Sequence, residues 1–227
     1  MLVDSLRTDF VTNPSSGFSF VRHLLQEGKA YVYKAHAHPP TVTLPRVKAL
    51  VTGGIPSFRA YVANFQSSAI DQDNMVWQMQ RHGKCLVFYG DETWLKLFPS
   101  AFTRYEGTTS FFVADTVEVD KNVTRNLPRE LERYTARTMP NLGSPATMRT
   151  PPPESSSHKL CDPDADWDVM FLHYLGLDHI GHLQGPRSPL MYPKQVEMNA
   201  IFENLYKTID KETLLIMSGD HGMNEDG

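Results

Sequence analysis

The chain has 227 residues, 41% of them apolar and 21% charged, which excludes a disordered or fibrous polymer and is enough for one domain with a sizeable core. Its 22 basic and 26 acidic residues leave a net charge of −4, so no overall basic field exists to hold nucleic acid or an anionic membrane, and nucleic acid is not an expected partner. No apolar run approaches the roughly 18 residues needed to cross a bilayer. Cys85 and Cys161 lie far apart and form no C-x-x-C pattern, which suggests neither a disulfide framework nor a thiolate zinc site.

In chain order, the first predicted element is the apolar run Met1-Leu2-Val3, a strand that stops at Asp4. Ala35-His36-Ala37-His38-Pro39 is extended, and its alternating imidazoles share one face; a structural or substrate-positioning role is expected of them rather than ligation. From Pro39 to Gly53 the pattern predicts an extended lead-in and then a helix, with Thr43 near its cap, Pro45 near its first turn and Gly53 past its end. The amide of Asn64, in Asn64-Phe65-Gln66-Ser67-Ser68, can donate to a phosphate oxygen, although a turn role fits it equally. Asp73 is a candidate N-cap for a helix carrying Met75, Val76, Trp77 and Met79, with Gly83 placed to end it.

A second strand, Leu86 to Asp91, follows, and Asn122-Val123-Thr124 fits the N-x-T glycosylation acceptor. Residues 135–166 contain Pro140, Pro145, Pro151-Pro152-Pro153 and Ser155-Ser156-Ser157, and read as an exposed, disordered insertion in a single domain spanning 1–227. A third apolar run goes from Val169 to Asp178, with His173 inside it as a hydrogen-bonded core residue. A helix after Pro193 would set Val196, Ile201, Leu205 and Ile209 on one face, and a fourth strand runs from Leu214 to Asp220. Because only three residues precede Asp4 and the chain stops six after His221, the domain is expected to be incomplete at both ends.

Strands alternating with helices imply an α/β fold with a mostly parallel central sheet flanked by helices, and such sheets bind ligands beyond the carboxyl ends of their strands. Asp4, Asp178 and Asp220 would gather there. Asp178 and His182 stand four positions apart, so on a helical turn they point the same way. Asp220-His221-Gly222 adds a second carboxylate and imidazole, a donor set suited to zinc or manganese more than to calcium or magnesium. Taken singly, each of these is a cap, a turn or a local ion pair; their convergence from separate elements makes a metal site. Thr43 near a helix N-terminus would carry a phosphoryl group among free backbone N–H groups. Its hydroxyl is a poor nucleophile unaided, and coordination to a metal would remove the need for a general base.

The ordered set Val3-Asp4-Ser5-Leu6-Arg7, Pro40-Thr41-Val42-Thr43-Leu44-Pro45-Arg46, Gly176-Leu177-Asp178-His179-Ile180-Gly181-His182 and Ser218-Gly219-Asp220-His221-Gly222-Met223 resembles the alkaline phosphatase-like superfamily. Ala35-His36-Ala37-His38-Pro39-Pro40 and His173-Tyr174-Leu175-Gly176-Leu177-Asp178-His179 narrow the resemblance to the GPI ethanolamine phosphate transferases. Within those, Tyr89-Gly90-Asp91-Glu92-Thr93-Trp94 is most similar to the members that act on the second mannose. The resemblance implies two zinc ions, one held by Asp4, the Thr43 oxygen, Asp220 and His221, the other by Asp178 and His182 with a further histidine that this sequence ends before reaching. It also implies phosphatidylethanolamine and a GPI precursor as substrates, an endoplasmic reticulum membrane location with the catalytic domain in the lumen, and a small membrane subunit as partner. Two rival readings are a phosphodiesterase or phosphatase of the same superfamily, with water as acceptor, and a catalytically silent truncated chain.

Overall fold

The structure, a computed structural model, describes residues 1–55, 69–110, 112–138, 161 and 166–225. Asn64 and most of the predicted insertion lie outside the described residues. Among the described residues, four strands form one parallel sheet: β1 (Leu2–Val3), β2 (Leu86–Asp91), β3 (Arg104–Thr108) and β4 (Val169–Tyr174), in the order β1-β4-β2-β3. The register sets Leu2 beside His173 and Phe88 beside Phe171. Parallel strands need crossovers, and the crossovers are helical. The helices are α1 (Thr8–Thr12), α2 (Ser19–Gln26), α3 (Thr43–Thr52), α4 (Met75–Arg81), α5 (Thr93–Leu97), α6 (Glu118–Thr124), α7 (Leu127–Thr138), α8 (Gly176–Gln184) and α9 (Met191–Thr208). None is long and apolar enough to cross a membrane among the described residues.

Side chains alternate across the pleat and build a separate core on each face. Val3, Val87, Tyr89, Leu172 and Tyr174 pack with residues of α1, α2 and α6 to α9. Leu2, Leu86 and Phe88, with Phe171, pack with residues of α3, α4 and α5 on the other side. Burying a side chain as completely as Phe88 is buried stabilises by roughly 1.5–3 kcal/mol. With all strands parallel, Asp4 and Asp91 leave at one edge, and the residues that follow β4 emerge there too.

Local signals explain most boundaries. α3 starts at Thr43, has Pro45 in its first turn and ends on Gly53 at φ 67, the left-handed conformation that glycine enters without a Cβ penalty. The cap of α4 is Asn74 rather than Asp73, its side chain accepting from the Trp77 N–H at 3.0 Å. The run after Val169 is a strand only to Tyr174; Asp178 sits in the first turn of α8. Leu214 to Ser218 forms no strand, only one bridge from Ser218 to Leu2 along the outer edge of β1. In α9, Ile201 and Leu205 are buried but Val196 is 42% exposed, because Met198 and Phe202 complete the inward stripe instead. β3 carries no apolar run: it pairs on one side only, its Tyr105 is exposed, and its half-buried Glu106 accepts from Arg125 and Asn126.

Two corrections concern the middle of the chain. α7 continues to Thr138, inside the stretch read as an insertion. Cys85 and Cys161 form a disulfide with Cα atoms 5.5 Å apart, against the expectation drawn from their spacing. Strand order is the cause: β4 lies beside β2, and Asp168 and Val169 both donate backbone N–H bonds to the Cys85 carbonyl, which brings the approach to β4 alongside.

Candidate metal centre

Asp4 follows β1 directly and is 1% exposed. The next residue, Ser5, has φ 56, and this left-handed turn aims its N–H at Asp220 Oδ1 (3.3 Å) and its hydroxyl at Asp178 Oδ1 (2.6 Å). Ser5 Oγ also lies 3.1 Å from His221 Nδ1. One small hydroxyl therefore ties the strand end to both of the other segments. The Asp220 loop is held further by Arg46 of α3, a buried guanidinium that donates from Nε to the Asp220 carbonyl at 2.9 Å.

Thr43 is the first residue of α3, and Val42 holds the cap position without a side-chain bond, so Thr43 does not spend its hydroxyl on capping. Thr43 Oγ1 donates instead to Asp4 Oδ2 at 3.1 Å. His221 Nε2 lies 3.2 Å from Asp4 Oδ1 and 3.4 Å from Asp220 Oδ2, bridging two carboxylates. Ligand-capable atoms of Asp4, Asp178 and His221 all fall within 4.8 Å of one another, as do those of Asp4, His173 and Asp220. His182, one turn after Asp178 on α8, sets Nε2 3.3 Å from Asp178 Oδ2 and belongs to no cluster of three among the described residues. An open cleft of about 370 Å³ is lined by Ser5, Thr43, Asp178, His182, His221 and Met223, among others.

The electrostatics of this group are unbalanced. Burial pushes the Asp220 carboxyl up, Asp4 beside it adds to the push, and the result is about 7. Burial and the Asp4 charge also raise Asp178. For Asp4, burial pulls upward but contacts from His173, His221 and Thr43 prevail and hold it below the usual carboxylate range. Burial pulls the His221 imidazole down, and Asp220 and Asp4 more than reverse that. Two buried oxygens, Asp4 Oδ1 and Asp220 Oδ2, accept no hydrogen bond. Buried carboxylate oxygens are normally satisfied, and a cation satisfies them as well as a donor does. The residues present thus fit a divalent metal held by oxygen and nitrogen donors.

Of the residues singled out in the sequence, Asp4, Thr43, Asp178, His182, Asp220 and His221 come together here; Asn64 lies outside the described residues. His36 and His38 are exposed and pack on each other at 4.7 Å, away from the cleft lining. Asn122 of the glycosylation triplet lies within α6. Sequence reasoning missed Ser5 and Arg46; His173 is the buried, hydrogen-bonded residue it expected, bonded to Trp94, and its Nε2 also lies 3.5 Å from Asp4 Oδ2.

Residues 1–225 match the model of the type I phosphodiesterase / nucleotide pyrophosphatase family. The chain belongs to that family. Among its curated relatives it is 44% identical to GPI ethanolamine phosphate transferase 2 of Eremothecium gossypii, over all of this chain and 25% of the relative. It is 42% identical to the human GPI ethanolamine phosphate transferase 2, catalytic subunit, over all of this chain and 21% of the relative. The Schizosaccharomyces pombe protein named GPI ethanolamine phosphate transferase 2 is 44% identical, again over the whole chain and 28% of its own length. The chain therefore spans about a quarter of the length of these family members.

Proposed function

We propose that the chain is the catalytic part of an enzyme that moves phosphoethanolamine from phosphatidylethanolamine to a mannose of a GPI anchor precursor, through a phosphothreonine at Thr43, with two zinc ions as cofactor. The observation that carries this reading is the seat of Thr43: a hydroxyl at the start of a helix, held by its proton on Asp4, in the same cleft as Asp178, His182 and His221. The name shared by the relatives supports the transferred group and the acceptor. Asp4, Asp220, His221 and the Thr43 oxygen would hold one zinc, and Asp178 with His182 the other. When bound, zinc supplies Lewis-acid stabilisation of phosphoryl charge and lowers the pKa of a hydroxyl.

The chain's own residues do the rest. The first turn of α3 leaves N–H groups unpaired, and with the positive end of the helix dipole they favour a phosphoryl group at Thr43. Thr43 Oγ1 bonds to phosphorus as the bond to the diacylglycerol oxygen breaks, and the hydroxyl proton leaves with diacylglycerol. A mannose hydroxyl then bonds to phosphorus, the Thr43 oxygen is released, and the acceptor's proton returns to it. The disulfide supports an oxidising compartment, hence the luminal side of the endoplasmic reticulum membrane. The small membrane subunit implied by the family resemblance completes the proposal.

The test is labelling. Zinc-loaded chain given a phosphatidylethanolamine labelled in its headgroup gains label on Thr43, and Thr43→Ala loses both the label and roughly 10³-fold or more of turnover. Normal turnover by Thr43→Ala sinks the nucleophile assignment. The family's description as phosphodiesterases and pyrophosphatases favours one second reading, with water as acceptor. Product analysis with and without a mannose acceptor separates the two.

A further inference from the structure

His173 ends up among three carboxylates rather than in a purely apolar core. It is fully buried on the β4 face that packs against α5, with Asp4, Asp91 and Asp220 as its charged neighbours. The α5 residue Trp94 donates its indole N–H to His173 Nδ1 at 3.1 Å. Indole nitrogen can only donate, so Nδ1 must present a lone pair, and the imidazole proton sits on Nε2. That Nε2 has no hydrogen-bond acceptor as it stands, and it lies 3.5 Å from Asp4 Oδ2. Thr43 approaches the same Oδ2, whereas Oδ1 accepts nothing. Thr43 and the His173 N–H thus face one oxygen of Asp4, while the other accepts no hydrogen bond and faces His221 Nε2 at 3.2 Å. Gly90 keeps the space open, since a Cβ there would lie 2.6 Å from His173 Cβ.

We propose that His173, oriented by Trp94, is a positioning residue for Asp4: it turns Oδ2 inward and presents Oδ1 to the cation. This rests on the metal reading above and adds to it a residue behind the ligands. Metal-binding carboxylates are commonly held by such outer partners, whose loss costs 10–100-fold in metal affinity.

The experiment measures zinc affinity of the 227-residue chain by competition with a chelator, and zinc content by atomic absorption. His173→Asn keeps an acceptor near the indole and loses the donor toward Asp4; His173→Gln reaches Asp4 with an amide N–H. Expected is a 10–100-fold weaker zinc dissociation constant in His173→Asn, substantial recovery in His173→Gln, and about 10-fold weakening in Trp94→Phe, which keeps the ring packing. Glu130→Gln, in the buried Tyr89–Arg104–Glu130 network, is the control that lowers stability without changing zinc affinity. If His173→Asn does not fold, Trp94→Phe carries the test. Wild-type affinity in His173→Asn or Trp94→Phe overturns this proposal alone. Loss of a whole zinc equivalent in both His173→Asn and His173→Gln would make His173 a ligand and also overturns it. A wild-type chain that takes up no zinc overturns the metal reading and this proposal with it.

Discussion

One buried carboxyl should cost the metal-free chain stability as pH rises through the range where most proteins are most stable. Asp220 is the source. Its carboxyl moves from an ordinary 3.8 when unfolded to about 7 when folded, because it is buried beside Asp4. Between those values the folded state holds a proton that the unfolded state has released, so the slope of unfolding free energy with pH is negative. A gap of roughly three pH units at 1.36 kcal/mol each gives an upper limit of about 4 kcal/mol lost between about pH 4 and 7. Asp178 is raised by burial and by Asp4, and adds in the same direction. His221 is raised above 6.5, so its contribution is present below that value and is lost as pH climbs through its folded pKa. Asp4 is depressed, and its opposite contribution, lost on acidification, falls below this window.

A cation replaces the missing proton, so zinc should flatten or reverse the trend. The assay is urea unfolding of chelator-treated chain at four pH values from about 4.5 to 7.5, with and without zinc. Asp220→Asn is the matched control: it keeps an Oδ1 to accept from the His221 and Ser5 N–H groups, removes the charge, and should make the slope of stability with pH more positive than that of wild type in the metal-free chain. The Met1 ammonium, which burial lowers to about 5, adds a slope of opposite sign in wild type and variant alike, so the difference between the two decides: an Asp220→Asn slope equal to that of wild type refutes the electrostatic account.

Three further substitutions test how the site is supported. Gly90→Ala forces a Cβ to within 2.6 Å of the His173 backbone oxygen at φ 151, and should cost roughly 3 kcal/mol or more in chemical denaturation; a loss under about 1 kcal/mol would contradict the close approach. Asp120→Ala removes the acceptor of the Leu175 and Gly176 N–H groups and the partner of Lys194 at 3.0 Å. About 3–5 kcal/mol should be lost, along with zinc affinity, because α8 carries Asp178 and His182; undiminished zinc binding would separate the anchor from the site. Cys85→Ser opens a loop with a sequence separation of 76, for which chain entropy predicts about 4 kcal/mol, read as a lower urea midpoint than that of the oxidised wild type.

What the sequence made legible, and what it hid, divides along a physical line. β2 and β4 could be read because strands buried on both faces must be apolar throughout. α3 could be read because proline in the first turn and glycine after the last are local requirements of the helix itself. Asp4, Thr43, Asp178 and His182 stood out because each sits near the start or end of such an element; Asp220 and His221 stood out by following an apolar run that forms only a single bridge. Hidden were features defined only by a neighbour distant in sequence. The edge strand β3 needs no apolar face, and the Cys85–Cys161 bond depends on β4 lying beside β2. The left-handed turn at Ser5 is set by Asp178 and Asp220, more than 170 positions away.

His173 is the instructive case, because its burial was anticipated and its meaning was not. Alternation along β4 assigns it to the face of Phe171, which looks like core until Trp94 is found on one ring nitrogen and Asp4 opposite the other. A polar residue inside an apolar run is therefore underdetermined by its own sequence: the pleat fixes its face, and the opposing helix and adjoining strand end fix its partners. At this sheet edge those partners are an aromatic donor and a buried carboxylate whose second oxygen accepts no hydrogen bond and is left to face His221. That leftover oxygen is why an interior histidine can be held to act on the site, when a histidine satisfied on both nitrogens would only fill space.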